Sequence, residues 1–180
     1  MNLQSQSSRV LQTDRLALRW LEAADAGFLH ELMNDPDWLR YIGDRGIRSV
    51  EDARNHIANG PRAMYARFGF GLYLVELKGT NAALGICGLI KRDWLAAVDL
   101  GFAFLAPHRG AGYAFEAASA TLDYARSALR LDRIVAIVSP ENLDSIRLLT
   151  KLDMKLERMV KPPGETREVG LFATSRSFAG

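Results

Sequence analysis

The residues best suited to chemistry in this sequence run Leu105-Ala106-Pro107-His108-Arg109-Gly110-Ala111-Gly112-Tyr113-Ala114-Phe115-Glu116. Gly110 and Gly112 carry no side chains, so a ligand can approach their main chain closely. Arg109 adds a fixed positive charge, and a helical pattern begins directly after the loop. The first turn of a helix exposes unpaired N–H groups and partial positive charge, so the stretch predicts a cradle for phosphate. Two glycines before a helix equally fit a plain tight turn, and the loop alone does not separate the two readings. Two phosphate motifs are excluded. A Walker loop needs Gly, four residues, then Gly-Lys-Ser/Thr, and no such Lys follows. A dinucleotide fingerprint needs Gly or Ala where Phe115 stands, and its acidic residue belongs at the end of the next strand, which Asp132 precedes.

The elements around the loop must hold it. The apolar run 98–104 predicts a strand leading in. Phe115, Ala118, Leu122, Ala125 and Leu129 recur at three- and four-residue steps and predict one buried face of a helix over 112–130. Glu116 near its start and Arg126 and Arg130 near its end suit the helix dipole. Further strands are predicted at 15–21, 71–77, 84–90, 133–138, 154–160 and 167–173. A helix over 22–34 presents Phe28, Leu29, Leu32 and Met33 and stops at Asn34-Asp35-Pro36-Asp37. Residues 38–46 show no clear period. Ser49, with Asp52 three residues on, predicts the N-cap of a helix to about Phe68, which Gly60-Pro61 breaks or kinks. Lys78-Gly79-Thr80-Asn81 reads as a hairpin connection, Asn142 as the cap of a helix ending near Leu152, and Pro162-Pro163-Gly164 as the turn between the last two strands. The run 133–138 is continuously apolar, as expected of a strand covered on both faces. Strands mixed with helices on one core imply an α/β sandwich.

Composition narrows the function classes. The chain has 180 residues, 48% of them hydrophobic, which suffices for one domain with a core. A formal net charge of +2 gives no case for nucleic-acid binding. The single cysteine, Cys87, lies in the apolar run 84–90 and reads as a buried strand residue; one cysteine cannot form an internal disulfide and points to a reducing compartment. No apolar stretch reaches membrane-spanning length, and residues 1–8 are polar without an apolar signal core, so a cytoplasmic location is expected. His30 and His56 have no metal-ligand spacing with each other or with Cys87, and no metal is expected. His108 reads as an exposed loop residue.

Arg109-Gly110-Ala111-Gly112-Tyr113-Ala114 resembles the Arg-Gly-x-Gly-x-Ala core of the pyrophosphate loop in the GNAT acetyltransferase superfamily, and the following Glu116-Ala117 resembles its RimJ/RimL-like branch. Thr13-Asp14-Arg15-Leu16-Ala17-Leu18-Arg19 is similar to that branch's opening strand, Asp99-Leu100-Gly101-Phe102 to its fourth strand, and Asn142-Leu143-Asp144-Ser145-Ile146-Arg147-Leu148-Leu149 to its late helix. The resemblance covers about 13 to 173 of a single domain spanning 1–180. It implies an α/β (α+β) fold: a mixed, mostly antiparallel sheet of six or seven strands with helices on both faces. The fourth and fifth strands, here 98–105 and 133–138, would splay apart to admit the cofactor's pantetheine arm.

The resemblance also implies an N-acetyltransferase that moves an acetyl group from acetyl-CoA to a primary amine by direct attack. The acceptor would be a protein N-terminus or a small amine, and the enzyme a monomer or homodimer. The pyrophosphate would sit on the amides of Arg109, Gly110, Ala111, Gly112, Tyr113 and Ala114. Phe104 and Leu105 would offer backbone groups to the pantetheine amides, Asn142 would lie near that arm, and Ser145 near the thioester sulfur. Asn142 and Ser145 also fit a helix cap and its first turn. Asp99 stands where the branch often has an acid and is the candidate base; it equally fits a carboxylate that only orders its surroundings. Trp38, Tyr41 and Trp94 would line the acceptor pocket, although each also fits ordinary packing. Leu149 replaces the family's Tyr acid, Asp153-Met154 its Gly-Phe, and Pro107 is shifted by one position. The missing Tyr leaves a second reading open, a non-catalytic acyl-CoA-binding regulatory module.

Overall fold

The computed structural model describes residues 9–175; the polar stretch 1–8 lies outside the described residues. Runs rich in aliphatic and aromatic residues extend into eight strands. These are β1 (Arg9–Gln12), β2 (Leu16–Trp20), β3 (Leu72–Leu77), β4 (Ala82–Ile90), β5 (Val98–Phe104), β6 (Ile134–Val138), β7 (Met154–Val160) and β8 (Val169–Thr174). They form one sheet in the order β1-β2-β3-β4-β5-β6-β8-β7. Only β5 and β6 run parallel; every other neighbouring pair is antiparallel. The mixed sheet is the expected class, with one strand more than the sequence predicts. The extra strand is β1, too short at four residues to show alternation, and it is held by pairing with β2 at the sheet edge.

Six α-helices pack around the sheet: α1 (Ala26–Met33), α2 (Pro36–Tyr41), α3 (Val50–Ile57), α4 (Ala63–Phe68), α5 (Tyr113–Ser127) and α6 (Leu143–Lys151). Helix α2 falls in the segment without periodicity. Asp35 accepts the Asp37 N–H and Pro36 occupies the first turn, so the Asp-Pro pair that ends α1 also starts α2. Ser49 and Asp52 close the predicted capping box. At Gly60-Pro61 the chain does not break: a π-helical turn, Ala58–Arg62, carries it into α4. That wider turn accommodates the N–H that proline lacks.

Two apolar layers flank the sheet. On one face, Ala117, Ala118, Leu122 and Ala125 of α5 and Leu149 of α6 pack on Leu84, Leu89, Leu100 and Phe104. On the other, Leu29, Leu32 and Met33 of α1, Trp38 of α2 and Ala53 and Ile57 of α3 pack on Leu74 and Ile86. Each fully buried aliphatic side chain contributes about 1.5–3 kcal/mol. Phe115, expected on the buried face of α5, is 40% exposed. The face turned to the sheet is built instead of Ala117, Ala118, Thr121, Leu122 and Ala125. Cys87 is the buried strand residue the sequence predicts; its Sγ lies 3.5 Å from Thr121 Oγ1, and burial pushes the thiol up to about 12.

The feature that opens the sheet is the short β5–β6 ladder. It pairs only Val98 with Ile134 and Asp99 with Val135. Beyond that point β5 continues with β4 to Phe104, and β6 continues with β8 to Val138, each without the other.

Candidate active site

A cleft of about 480 Å³ lies where β5 and β6 part, within the size range of small-molecule sites. One wall is α2, through Asp37, Trp38 and Tyr41; the floor is Phe102, Ala103 and Phe104; the mouth is the loop before α5, with Gly110, Gly112, Tyr113 and Ala114; the far wall is α6 with Asn142 and Ser145. The sequence brings forward all of these except Asp37, Phe102 and Ala103. The last two matter because β5 has no β6 partner there, so one edge of its main chain faces the gap.

The two glycines shape the loop. Gly110 and Gly112 adopt φ of +79° and +83°, a left-handed conformation that glycine tolerates best. Gly112 caps α5. Among the described residues, the N–H groups of Gly110 through Phe115 make no main-chain hydrogen bond. The row of free amides therefore begins at Gly110. The Arg109 N–H, expected as part of it, donates to Ala106 O at 3.2 Å.

The loop is held from behind by residues about a hundred positions away in sequence. Arg15 donates from Nη1 to Ala111 O at 3.0 Å, and its guanidinium lies 4.6 Å from the centre of the Tyr113 ring. Glu116 accepts from Thr13 Oγ1 at 2.5 Å, from the Arg15 N–H at 2.9 Å and from Arg15 Nε at 2.6 Å. Burial alone would raise the Glu116 pKa; these donors outweigh it and hold the carboxyl below its ordinary range. Across the cleft, Asn142 caps α6 by accepting the Ser145 N–H at 3.1 Å, and both residues line the cleft.

A mostly antiparallel sheet, one pair of strands that part, and a glycine loop of free amides at the mouth form a fold with a site. The family model described as the acetyltransferase (GNAT) domain matches residues 15–155. The chain belongs to the GNAT acetyltransferase family. It is 31% identical over 176 residues to the uncharacterized N-acetyltransferase p20 of Bacillus licheniformis, covering 94% of this chain and 98% of that one. Its structure is similar to that of the acetyltransferase from Agrobacterium tumefaciens str. C58, with a TM-score of 0.78, 26% identity, and coverage of 92% and 94% of the two chains. It shares its fold with the spermidine N-acetyltransferase from Vibrio cholerae in complex with CoA and spermine, at a TM-score of 0.73, 21% identity, and coverage of 89% and 95%.

Several residues expected at the site of this GNAT domain lie elsewhere. Asp99 is 1% exposed and does not line the cleft. Its Oδ2 accepts from Arg92 Nε at 2.6 Å and its Oδ1 from the Ile137 N–H at 3.3 Å. Burial pushes its pKa up to about 6, against the pull of Arg92 and the amide. Trp94, in the link between β4 and β5, packs against Leu95, Val135, Leu171 and Ala173, and not on the cleft. Leu105 is off the cleft as well: its N–H donates to Leu84 O and its carbonyl accepts from the His108 N–H. Ala111, expected in the amide row, also lies outside the lining. His108 is on the cleft, at its mouth. Among the described residues no group of His, Cys, Asp and Glu could hold a metal ion, and no helix is long and apolar enough to cross a membrane.

Arg109 departs most from expectation. Its side chain turns from the loop toward α2, donating to Phe104 O and Asp35 Oδ1, both at 2.8 Å, and to Asp37. It therefore joins the glycine loop to the wall that carries Trp38 and Tyr41. Burial raises the Asp35 pKa, but hydrogen bonds from Arg109 and from the Asp37 and Trp38 amides outweigh it and lower the pKa overall. A depressed carboxylate pKa contributes stability that is present above the ordinary value of about 4 and is lost as pH falls through the folded value. Arg109→Met should therefore destabilise the domain by about 1–3 kcal/mol at neutral pH. The gap to the parent should shrink as pH falls below about 4. Urea melts of both proteins across that range check this; a gap independent of pH would show that the ion pairs contribute nothing.

Proposed function

We propose that the chain is an N-acetyltransferase that moves an acetyl group from acetyl-CoA to a primary amine by direct attack. One observation carries the reading: the free amides of Gly110 and of Gly112 through Phe115 belong to residues that line the same cleft as the unpaired edge of β5. The amides suit a pyrophosphate. The strand edge suits the amides of a pantetheine arm, which would pair with it much as another strand does. When bound, acetyl-CoA supplies the activated acetyl group. The chain's own work is to place the thioester carbonyl beside a neutral amine and to offer donors to the charge that develops. Asn142 and Ser145 face that region from α6, and Asp37, Trp38 and Tyr41 face it from α2 as the acceptor wall. A primary amine is the acceptor class; protein N-termini and small amines both suit a cleft open at its mouth. The absence of a spanning helix among the described residues is consistent with work in the cytoplasm. Thiol release from acetyl-CoA, with N-terminal peptides and small amines side by side, tests the reading, and no release above hydrolysis with any amine would sink it.

In this reading Ser145, which lines the cleft, hydrogen-bonds the sulfur or holds a water against it. The sulfur gains negative charge only as the bond breaks, so the contact should favour the transition state. Ser145→Ala should lower kcat by about tenfold, roughly one hydrogen bond. The acetyl-CoA Kd should stay near the parent value, because the Asn142 cap uses the Ser145 main chain. Equal kcat in parent and variant would assign the thiolate to solvent.

A second reading has one specific support. Leu149, which stands where relatives carry a Tyr acid, is 1% exposed in the main core and cannot donate a proton. A non-catalytic acyl-CoA-binding module would keep the loop and give acetyl-CoA binding with no thiol release.

A further inference from the structure

We infer that Asp99 sets the point at which β5 and β6 part, which makes it a positioning residue for the thioester rather than the group that takes the amine's proton. The two strands pair at Val98–Ile134 and Asp99–Val135, and no further. Two residues along β6 the Ile137 N–H points back across the gap. Its acceptor is the Asp99 carboxylate, at 3.3 Å, not the main chain of β5. A side-chain oxygen thus stands in for the next rung of the ladder. The substitution satisfies a partly buried amide that separation of the strands would otherwise leave unpaired. The second carboxylate oxygen is fixed by Arg92 Nε at 2.6 Å, and Arg92 belongs to the link that carries Leu95 into the core beside Val135 and Leu171. Asp99 is therefore held on both oxygens, away from the cleft. Beyond Leu100 and Gly101, the next residues of β5, Phe102 and Ala103, line it.

Two variants separate the roles. Asp99→Asn keeps an oxygen for the Ile137 N–H and removes the charge. The double variant Asp99→Leu with Arg92→Leu removes the ion pair as a unit, which often leaves stability unchanged or raised, and takes away the Ile137 acceptor. In the double variant, amide exchange at Ile137 should speed up at least tenfold while Val135 stays near the parent. Acetyl-CoA affinity should fall by about tenfold or more. In Asp99→Asn, Ile137 exchange and acetyl-CoA Kd should stay within about threefold, kcat should fall by less than tenfold, and the acidic limb of the pH–rate profile should remain. Loss of that limb with a fall in kcat of about 10²-fold or more in Asp99→Asn would make Asp99 the base and overturn the inference. Parent-like Ile137 exchange in the double variant would overturn it as well. The affinity and rate readouts rest on the acetyl-CoA reading, whereas the exchange readout does not. A parent that fails to bind acetyl-CoA would refute the proposed function, and Ile137 exchange would still decide the role of Asp99.

Discussion

Gly112→Val should lower acetyl-CoA affinity by about 100-fold or more, about 2.7 kcal/mol, while the domain stays folded. Gly112 has φ of +83°, and a β-branched residue there is strained whatever the space around it. An added Cβ would also stand 3.3 Å from Arg15 Nη2, on the guanidinium whose Nη1 donates to Ala111 O. The loop must then leave its present path, and the free amides that line the cleft lose their present arrangement. The core does not depend on this turn, since Ala117 and Ala118 begin the buried face of α5 about one and a half turns after the cap. Calorimetry gives the affinity and a thermal melt gives the fold. The parent at 100 times its Kd should gain about 2.7 kcal/mol from acetyl-CoA, and the variant little at the same concentration. Unchanged affinity in a folded Gly112→Val protein would remove the loop from the site.

Gly88→Ala should cost about 3 kcal/mol of stability, the upper part of the usual range for overpacking. For a domain of this size that is a fall in Tm of about 10 °C. Gly88 lies in β4, between Leu72 of β3 and Gly101 of β5. A Cβ there would meet Gly71 O at 2.1 Å and Leu72 Cα at 2.9 Å. Both are main-chain atoms in the middle of the sheet, and Gly71 O already accepts the Leu89 N–H. No side chain can swing aside to relieve the contact, so strands β3 and β4 must shift. Gly27→Ala is the control: it is in α1 with nothing within 4 Å of the added methyl, and should be neutral or stabilising by about 0.5–1 kcal/mol. If Gly88→Ala melts with the parent, the close approach of the two strands is not real.

The sequence alone determined the elements whose signals are local. The alternating and continuous apolar runs placed every strand longer than four residues to within a few positions. The Ser49–Asp52 box, the Asn142 cap and the glycine loop before α5 are short-range chemistry and could be read in order along the chain. What escaped was either too short or hidden by a neighbouring signal. Strand β1 has four residues and no period, and the Asp35-Pro36 pair that starts α2 reads first as the stop of α1. Phe115 carries the spacing of a buried face, but where that face begins depends on how α5 lies against the sheet.

Only the tertiary structure decided which distant residues meet. Thr13 and Arg15 are near the start of the chain and Glu116 is in its second half; only the docking of the β1–β2 turn against α5 makes them one brace behind the loop. Arg109 reads as a phosphate ligand from its place beside two glycines, yet Asp35, Asp37 and Phe104 O compete for its guanidinium and win. Asp99 reads as a candidate base because it stands where the RimJ/RimL-like branch often has an acid, and it reads equally well as a carboxylate that orders its surroundings. Whether it faces the cleft depends on strand parity and on where β5 leaves β6, and neither is written in the residues around it. Hydrophobic periodicity acts over a few residues, so a sequence displays it. Ion pairs and strand separations join residues that the chain keeps far apart, and only the folded sheet brings them within reach.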